Sequence, residues 1–143
     1  MMHQAILLSV LLGLTSATFV QDCGSAGTIV SAEIEDCELP PCVITRPNNK
    51  DVNITFTPGN EVTDLKTKID AFIGGVHFPW PGPGGCELIV EGSCPLQVGE
   101  QYKYHAAMPV LAEYPSLSAV VTWKLVDQDD RDQVCIAFPI DIV

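Results

Sequence analysis

Hydrophobic and polar residues alternate at every second position over much of the chain. Val52, Ile54 and Phe56 alternate with Asn53, Thr55 and Thr57, Tyr102 and Tyr104 with Lys103 and His105, and Val121, Trp123 and Leu125 with Thr122 and Lys124. A period of two marks a strand with one face buried, so each run predicts a half-buried strand. Val134, Ile136, Phe138 and Ile140 make a further apolar face, and Ile29 to Ile34 and Leu65 to Ile73 read as strands with less regular alternation. Turn signals separate these runs at Pro58-Gly59-Asn60, Gly92-Ser93, Val98-Gly99 and Asp127 to Asp132. No amphipathic helix of useful length, internal repeat or linker interrupts them. The expected fold is therefore all-β: an immunoglobulin-like sandwich of about seven short antiparallel strands. It lacks the true immunoglobulin arrangement, in which one disulfide joins the two sheets beside a core tryptophan.

Two segments break the pattern. From Ile73 to Cys86 the chain carries Pro79, Pro81 and Pro83, which donate no backbone hydrogen bond, so this stretch is expected to leave the sheet. Segments that leave a sheet run over the surface and turn polar, yet this one carries Val76, Phe78 and Trp80. Either the aromatics plug one end of the core, or they form a stiff apolar rim around an opening. Met108 to Ser116 is the second such segment, with apolar residues between Pro109 and Pro115. Two rigid apolar loops at strand ends would frame a mouth, and the sandwich would hold a small apolar ligand between splayed sheets.

Ala5 to Leu14 is apolar and uncharged but too short to span a bilayer, and Thr15-Ser16-Ala17 supplies small residues before a cleavage point. Residues 1–17 thus read as a signal peptide, and residues 18–143 as one soluble, secreted or lumenal domain. Lys and Arg total 7 against 18 Asp and Glu, a net charge of −11, which makes nucleic acid a poor partner. Six cysteines in an exported chain predict three disulfides. Cys37 with Cys42 and Cys86 with Cys94 look like short closed loops, leaving Cys23 to join Cys135.

Little in the chain points to catalysis. His77 and His105 have no serine or acidic partner evident by spacing, and no G-x-S-x-G is present, so the chain reads as a non-enzyme. Asp127 to Asp132 lacks the glycine and distal glutamate of an EF-hand loop and reads as a solvated hairpin turn. No CxxC pair or cysteine–histidine cluster suggests a metal, and no cofactor is expected. Asn53-Ile54-Thr55 is a glycosylation sequon on the polar face of its strand, so a glycan would project outward.

An ordered series of motifs spans the chain after the leader. It comprises Asp22-Cys-Gly-Ser25, the Cys37-x4-Cys42 pair, Val52-Asn-Ile-Thr-Phe-Thr57, the proline–aromatic stretch from Val76 to Gly85 ahead of Cys86, and Cys94-Pro95. Tyr102-x-Tyr104, Pro109-Val110, Glu113-Tyr-Pro-Ser116 and Val121-Thr-Trp123 follow. This series resembles the secreted Niemann-Pick type C lipid carriers, the sterol-binding branch of the lipid-recognition ML domains. The resemblance implies a sandwich holding one lipid between its sheets, with the disulfide pairing given above. It places the entrance at Trp80, Val110 and Tyr114, with Phe78 and Pro115 beside them, and the cavity wall at Trp123, Phe56, Ile54, Met108 and Ile136. Ile136 stands where vertebrate members carry a second aromatic, and Trp80 where well-known members carry phenylalanine. The implied role is a monomeric carrier of a sterol such as cholesterol that contacts membranes transiently, is delivered to the lysosome lumen and passes cargo to a membrane sterol transporter. A carrier of fatty acids or hydrophobic semiochemicals is the alternative, since departures of this kind resemble arthropod members. An immune accessory protein that binds microbial lipid is a second, but it needs cations at the mouth. Segments 73–86 and 108–116 contain no Lys or Arg.

Overall fold

The alternating runs become strands in the computed structural model, which describes residues 17–80 and 82–143. Apart from Ala17, the expected signal peptide lies outside the described residues. In chain order the strands are β1 Gln21–Asp22, β2 Thr28–Ile34, β3 Cys42–Ile44, β4 Asn48–Thr57, β5 Leu65–Ile73, β6 Val76–Trp80, β7 Ile89–Glu91, β8 Tyr102–Val110, β9 Leu117–Asp127 and β10 Asp132–Ile142. Three of them, β1, β3 and β7, are only two or three residues long, which leaves the seven longer strands that the alternation and length suggest. One sheet runs β1-β10-β9-β5-β6 with β3 added in parallel beside β10, and the other runs β2-β4-β8-β7. They stack as an immunoglobulin-like sandwich. Its core joins inward-facing residues of both sheets, with Trp123, Tyr104, Phe56 and Phe138 the largest fully buried side chains.

The proline stretch does not leave the sheet at once. Gly74 and Gly75, both at positive φ (56° and 84°), form a two-residue hairpin turn, which L side chains rarely allow. The turn sends β6 back along β5 with Phe78 opposite Ala71 and Trp80 opposite Ile69. Pro79 is tolerated because β6 is an edge strand and needs partners on one side only. Past the strand, residues 82–85 still follow β5, since Thr67 N–H donates to the Gly84 carbonyl at 2.8 Å. A Cβ on Gly82 would lie 1.8 Å from the Thr67 carbonyl and one on Gly85 1.7 Å from that of Leu65, so this strap needs glycine at both places. Likewise β8 runs through Pro109 to Val110: its partner β7 reaches only Lys103 and Tyr104, so the edge beside Pro109 is open.

The turn between β9 and β10 is not merely solvated. Asp127 is buried and accepts four hydrogen bonds, from the N–H groups of Asp129 (2.8 Å) and Arg131 (2.9 Å), from Arg131 Nε (2.9 Å) and from Gln133 Nε2 (2.8 Å). Burial pushes its carboxyl pKa up, but these donors outweigh burial and hold it at about 2. Nearby, Cys23 is bonded to Cys135, and Asp22 Oδ1 accepts from Ser25 Oγ at 2.9 Å while that oxygen accepts from Cys135 N–H at 2.9 Å. The Asp-Cys-Gly-Ser motif thus fastens the N-terminal segment to β10. Cys37–Cys42 and Cys86–Cys94 complete the three disulfides.

Because the folded pKa of Asp127 lies below that of the unfolded chain, its contribution is full above about pH 4 and is lost as pH falls through 2. Asp127→Asn should remove about 2 kcal/mol of stability at neutral pH and flatten the acid limb of stability against pH. Urea unfolding of both proteins from pH 2 to 7 checks this, and parallel curves would refute it. The Cys23–Cys135 bridge spans 112 residues and Cys37–Cys42 only 5. On the chain-entropy model the first contributes about 4.7 kcal/mol and the second about 2, so replacing the outer pair with alanine should lower Tm more.

Candidate functional site: an apolar mouth between strand ends

Small inward-facing residues leave space at one end of the sandwich. Ala71 on β5 and Ala119 on β9 occupy positions where neighbouring layers carry Ile69, Val121 and Trp123. Around them opens a cavity of about 410 Å³, closed by Phe78 and Trp80 from β6, by Tyr114 and Pro115 from the β8–β9 loop, and by Ile140 and Ile142 from β10. The remaining lining residues are Ile73, Pro79 and Leu117, so the lining contains no charged side chain. Trp80 and Tyr114 meet edge to face across the opening with ring centroids 5.8 Å apart. Phe78 is half exposed at the rim.

Four of the ten expected ligand-contacting residues, Phe78, Trp80, Tyr114 and Pro115, are brought together here. The other six, Val110, Met108, Ile54, Phe56, Trp123 and Ile136, pack in the core at 0 to 1 % exposure and do not line the opening. Inward of Ala71, the buried Ile69 is registered with Trp80 on one side and Trp123 on the other. Sequence reasoning missed Ala71, Ala119, Ile140 and Ile142. The usable signal was the pair of small residues at inward positions of strand ends, together with Gly74-Gly75, which sets the register placing Phe78 over Ala71.

A cation reaches the rim from outside the two entrance segments. Arg46 Nη1 donates to the Tyr114 carbonyl, and its Nε donates to the carbonyl of Val143 at 3.1 Å. Ser116 Oγ donates to the Ile142 carbonyl at 3.0 Å, so the β8–β9 loop is tied to the end of β10 at two points. Both histidines also find carboxylates that spacing did not reveal. His77 Nδ1 lies 2.7 Å from Asp70 Oδ2, and His105 Nε2 lies 3.3 Å from Asp51 Oδ1, each across neighbouring strands. Side chains of both pairs are partly or well exposed, so these are surface contacts of small energetic weight. Asn53 lies partly exposed on the outer face of β4, away from the core. A larger concavity of about 590 Å³ lies against Glu33, Glu35, Asp36, Glu38 and Asp51, where the acidic lining suits no apolar cargo. Among the described residues no group of His, Cys, Asp and Glu is arranged to hold a metal ion.

A β-sandwich with an apolar opening lined by one sheet and the β8–β9 loop defines a lipid-accommodating domain. Residues 17–142 match the family model described as ML domain, and the chain belongs to that family. It is 36 % identical over 125 residues to NPC intracellular cholesterol transporter 2 of Danio rerio, covering 85 % of this chain and 83 % of that one. It is 35 % identical over 127 residues to NPC intracellular cholesterol transporter 2 homolog a of Drosophila melanogaster, covering 85 % and 84 %. Among solved structures it superposes on a Niemann-Pick type C2 protein from Japanese carpenter ant with a TM-score of 0.78 at 27 % identity, covering 87 % of this chain and 99 % of that one.

The half-buried Trp80 and the fully buried Trp123 should respond differently to truncation. Trp123→Ala is expected to cost about 3 to 5 kcal/mol, as for any large core aromatic. Trp80→Ala should cost less than that, because part of its surface stays in water, yet should alter lipid binding and release. Denaturant unfolding and fluorescent-lipid titration of both variants test this. A Trp80→Ala protein that unfolds as early as Trp123→Ala while binding normally would make Trp80 a core plug instead of a rim residue.

Proposed function

We propose that this protein is a secreted carrier that takes one sterol, such as cholesterol, past Trp80 and Tyr114 into the space between its sheets and hands it on at a membrane. The observation that carries this reading is the mouth: about 410 Å³ of uncharged, aromatic-rimmed space, within the range of small-molecule sites. The names of the Danio and Drosophila relatives support cholesterol as cargo. Phe78, Trp80, Tyr114 and Pro115 form the entrance in this reading. Trp123, Phe56, Ile54, Met108, Ile136 and Val110 become the wall as cargo advances and the interior opens. No catalytic step is required of any residue. The partly exposed Asn53 would carry a glycan clear of the mouth, and the leader would direct the chain to the extracellular space or the lysosome lumen, where a membrane sterol transporter would receive the cargo.

A fatty acid or another elongated hydrophobic signal would use the same opening, and only the cargo separates the two readings. Organic extraction of the protein secreted by its own cells, followed by mass spectrometry, distinguishes them. A sterol near one per chain is the expected result. Fatty acids without sterol would transfer the role to the rival, and an extract without lipid would count against a carrier.

A further inference from the structure

The alternation that turns Val52, Ile54 and Phe56 inward on β4 continues to Lys50, and the lysine obeys it: Lys50 is only 7 % exposed. Among the described residues two charged side chains are buried, Asp127 and Lys50, and they are treated differently. Asp127 receives four hydrogen bonds. The Lys50 ammonium has one ion-pair contact, 3.7 Å from Asp36 Oδ2, which is beyond hydrogen-bond range. The Asp36 side chain is itself 81 % exposed, so its charge is largely spent on water. An ammonium carries three donors, and drawing it out of water without a close anion is costly.

The position of Lys50 matters as much as its burial. Val110, the last residue of β8, is registered with Asn48, and Met108 with Lys50. The loop that follows Val110 carries Tyr114 and Pro115 of the mouth, so Lys50 lies one inward layer, about 7 Å along the strand, from the start of that loop. Just before β4, Arg46 is bonded to the Tyr114 carbonyl, and Ile44 of β3 is registered with Ile142 of the lining. The strand that bears Lys50 thus enters the sandwich beside the opening. Arg46 is not in the same condition, because its guanidinium is already committed to the carbonyls of Tyr114 and Val143.

We propose that Lys50 is a specificity-determining residue of the carrier, its ammonium pairing with the carboxylate of an acidic lipid whose hydrocarbon occupies the space between the sheets. The ligand class is a lipid with one ionised carboxyl group, either a long-chain fatty acid or a sterol acid. One ammonium in apolar surroundings balances one negative charge, whereas a phosphate monoester would bring a second charge with no partner. The net charge of −11 repels anions at long range, so a preference for the acid has to come from a local cation. This inference rests on the carrier reading above and adds acidic lipids to its cargo. The uncharged lining alone supplies no such preference.

Titration of the intrinsic fluorescence of Trp80 and Trp123, the two tryptophans of the chain, follows binding directly. The probes are cholesterol and two matched pairs, palmitate with palmityl alcohol and lithocholate with its methyl ester. A charge-assisted hydrogen bond predicts about tenfold to a hundredfold tighter binding of the acid in at least one pair. Preference in the palmitate pair alone assigns fatty acids as the acidic cargo, and preference in the lithocholate pair alone assigns sterol acids. Lys50→Met keeps an unbranched stem without the charge, so the ratio should fall toward one, while Lys50→Arg restores the cation and should keep most of it. A purely structural lysine would leave the ratio unmoved in both variants. Wild-type ratios near one in both pairs while cholesterol binds would overturn the role of Lys50 and leave the carrier standing. A Lys50→Met protein that keeps the full ratio would overturn it too, as would a ratio lost in Arg46→Gln and kept in Lys50→Met, which moves the anion to the rim. Should Lys50→Met not fold, the wild-type ratios and Lys50→Arg decide. A protein that binds no probe would overturn the carrier reading and this inference with it.

Discussion

The mouth depends on how β5 is paired. On one side β5 is registered with β9 along eight residues, from Leu65 to Phe72, and on the other with β6 along only five. A strand with unequal neighbours has one firm edge and one that can be altered without loss of the sheet. Below Ile69 that weaker edge passes to the proline–glycine strap, whose carbonyls accept from β5 while its prolines donate nothing. The rim aromatics therefore sit where backbone hydrogen bonding is thinnest, while β9 and β10 behind them stay fully laddered.

Much of the sandwich was legible because period-two alternation reports burial directly, and Val52-Asn-Ile-Thr-Phe-Thr57 and Val121 to Leu125 fall on strands with the expected faces inward. The errors come from one cause. Proline counts as a strand breaker only if both edges of the strand need donors, and neither Pro79 nor Pro109 is in that position. Whether a strand is central or at an edge is a property of topology and cannot be read from a window of ten residues. Partners from distant segments were invisible for the same reason: Arg46 beside Tyr114, Asp70 beside His77, and Ala71 facing the same opening as Ala119 and Ile140.

Buried polar groups are handled in opposite ways at the two ends of this interior. Asp127 is given four donors and is held ionised; it belongs to a closed network that fixes the β9–β10 turn and leaves nothing for a ligand to complete. Tyr104 and Thr67 are given one contact between them and one indole donor. A satisfied network rigidifies its surroundings. Their placement follows the same division, for Asp127 closes the end of β9 remote from the mouth and Tyr104 lies between that end and the opening.

That division bears on how a domain this small can open without unfolding. At the end of β10 near Asp132, the Cys23–Cys135 bridge and the Ser25 hydroxyl join segments far apart in sequence, and the Asp127 network closes the β9–β10 turn. At the other end, Ala71 and Ala119 withhold side-chain volume, and Phe78 and Trp80 keep part of their surface in water. In the proposed carrier, admitting a lipid would exchange the Trp80–Tyr114 contact for contacts with hydrocarbon, which is close to neutral because both surfaces are apolar. Within the sheet that carries them, the charge-assisted hydrogen bonds of Asp127 and the disulfide stiffen the remote end, so the mouth is the less constrained end. Arg46 and Ser116 hold the β8–β9 loop to the end of β10, so in the proposed carrier the β6 edge, with Trp80 on it, would be the side of the mouth that yields.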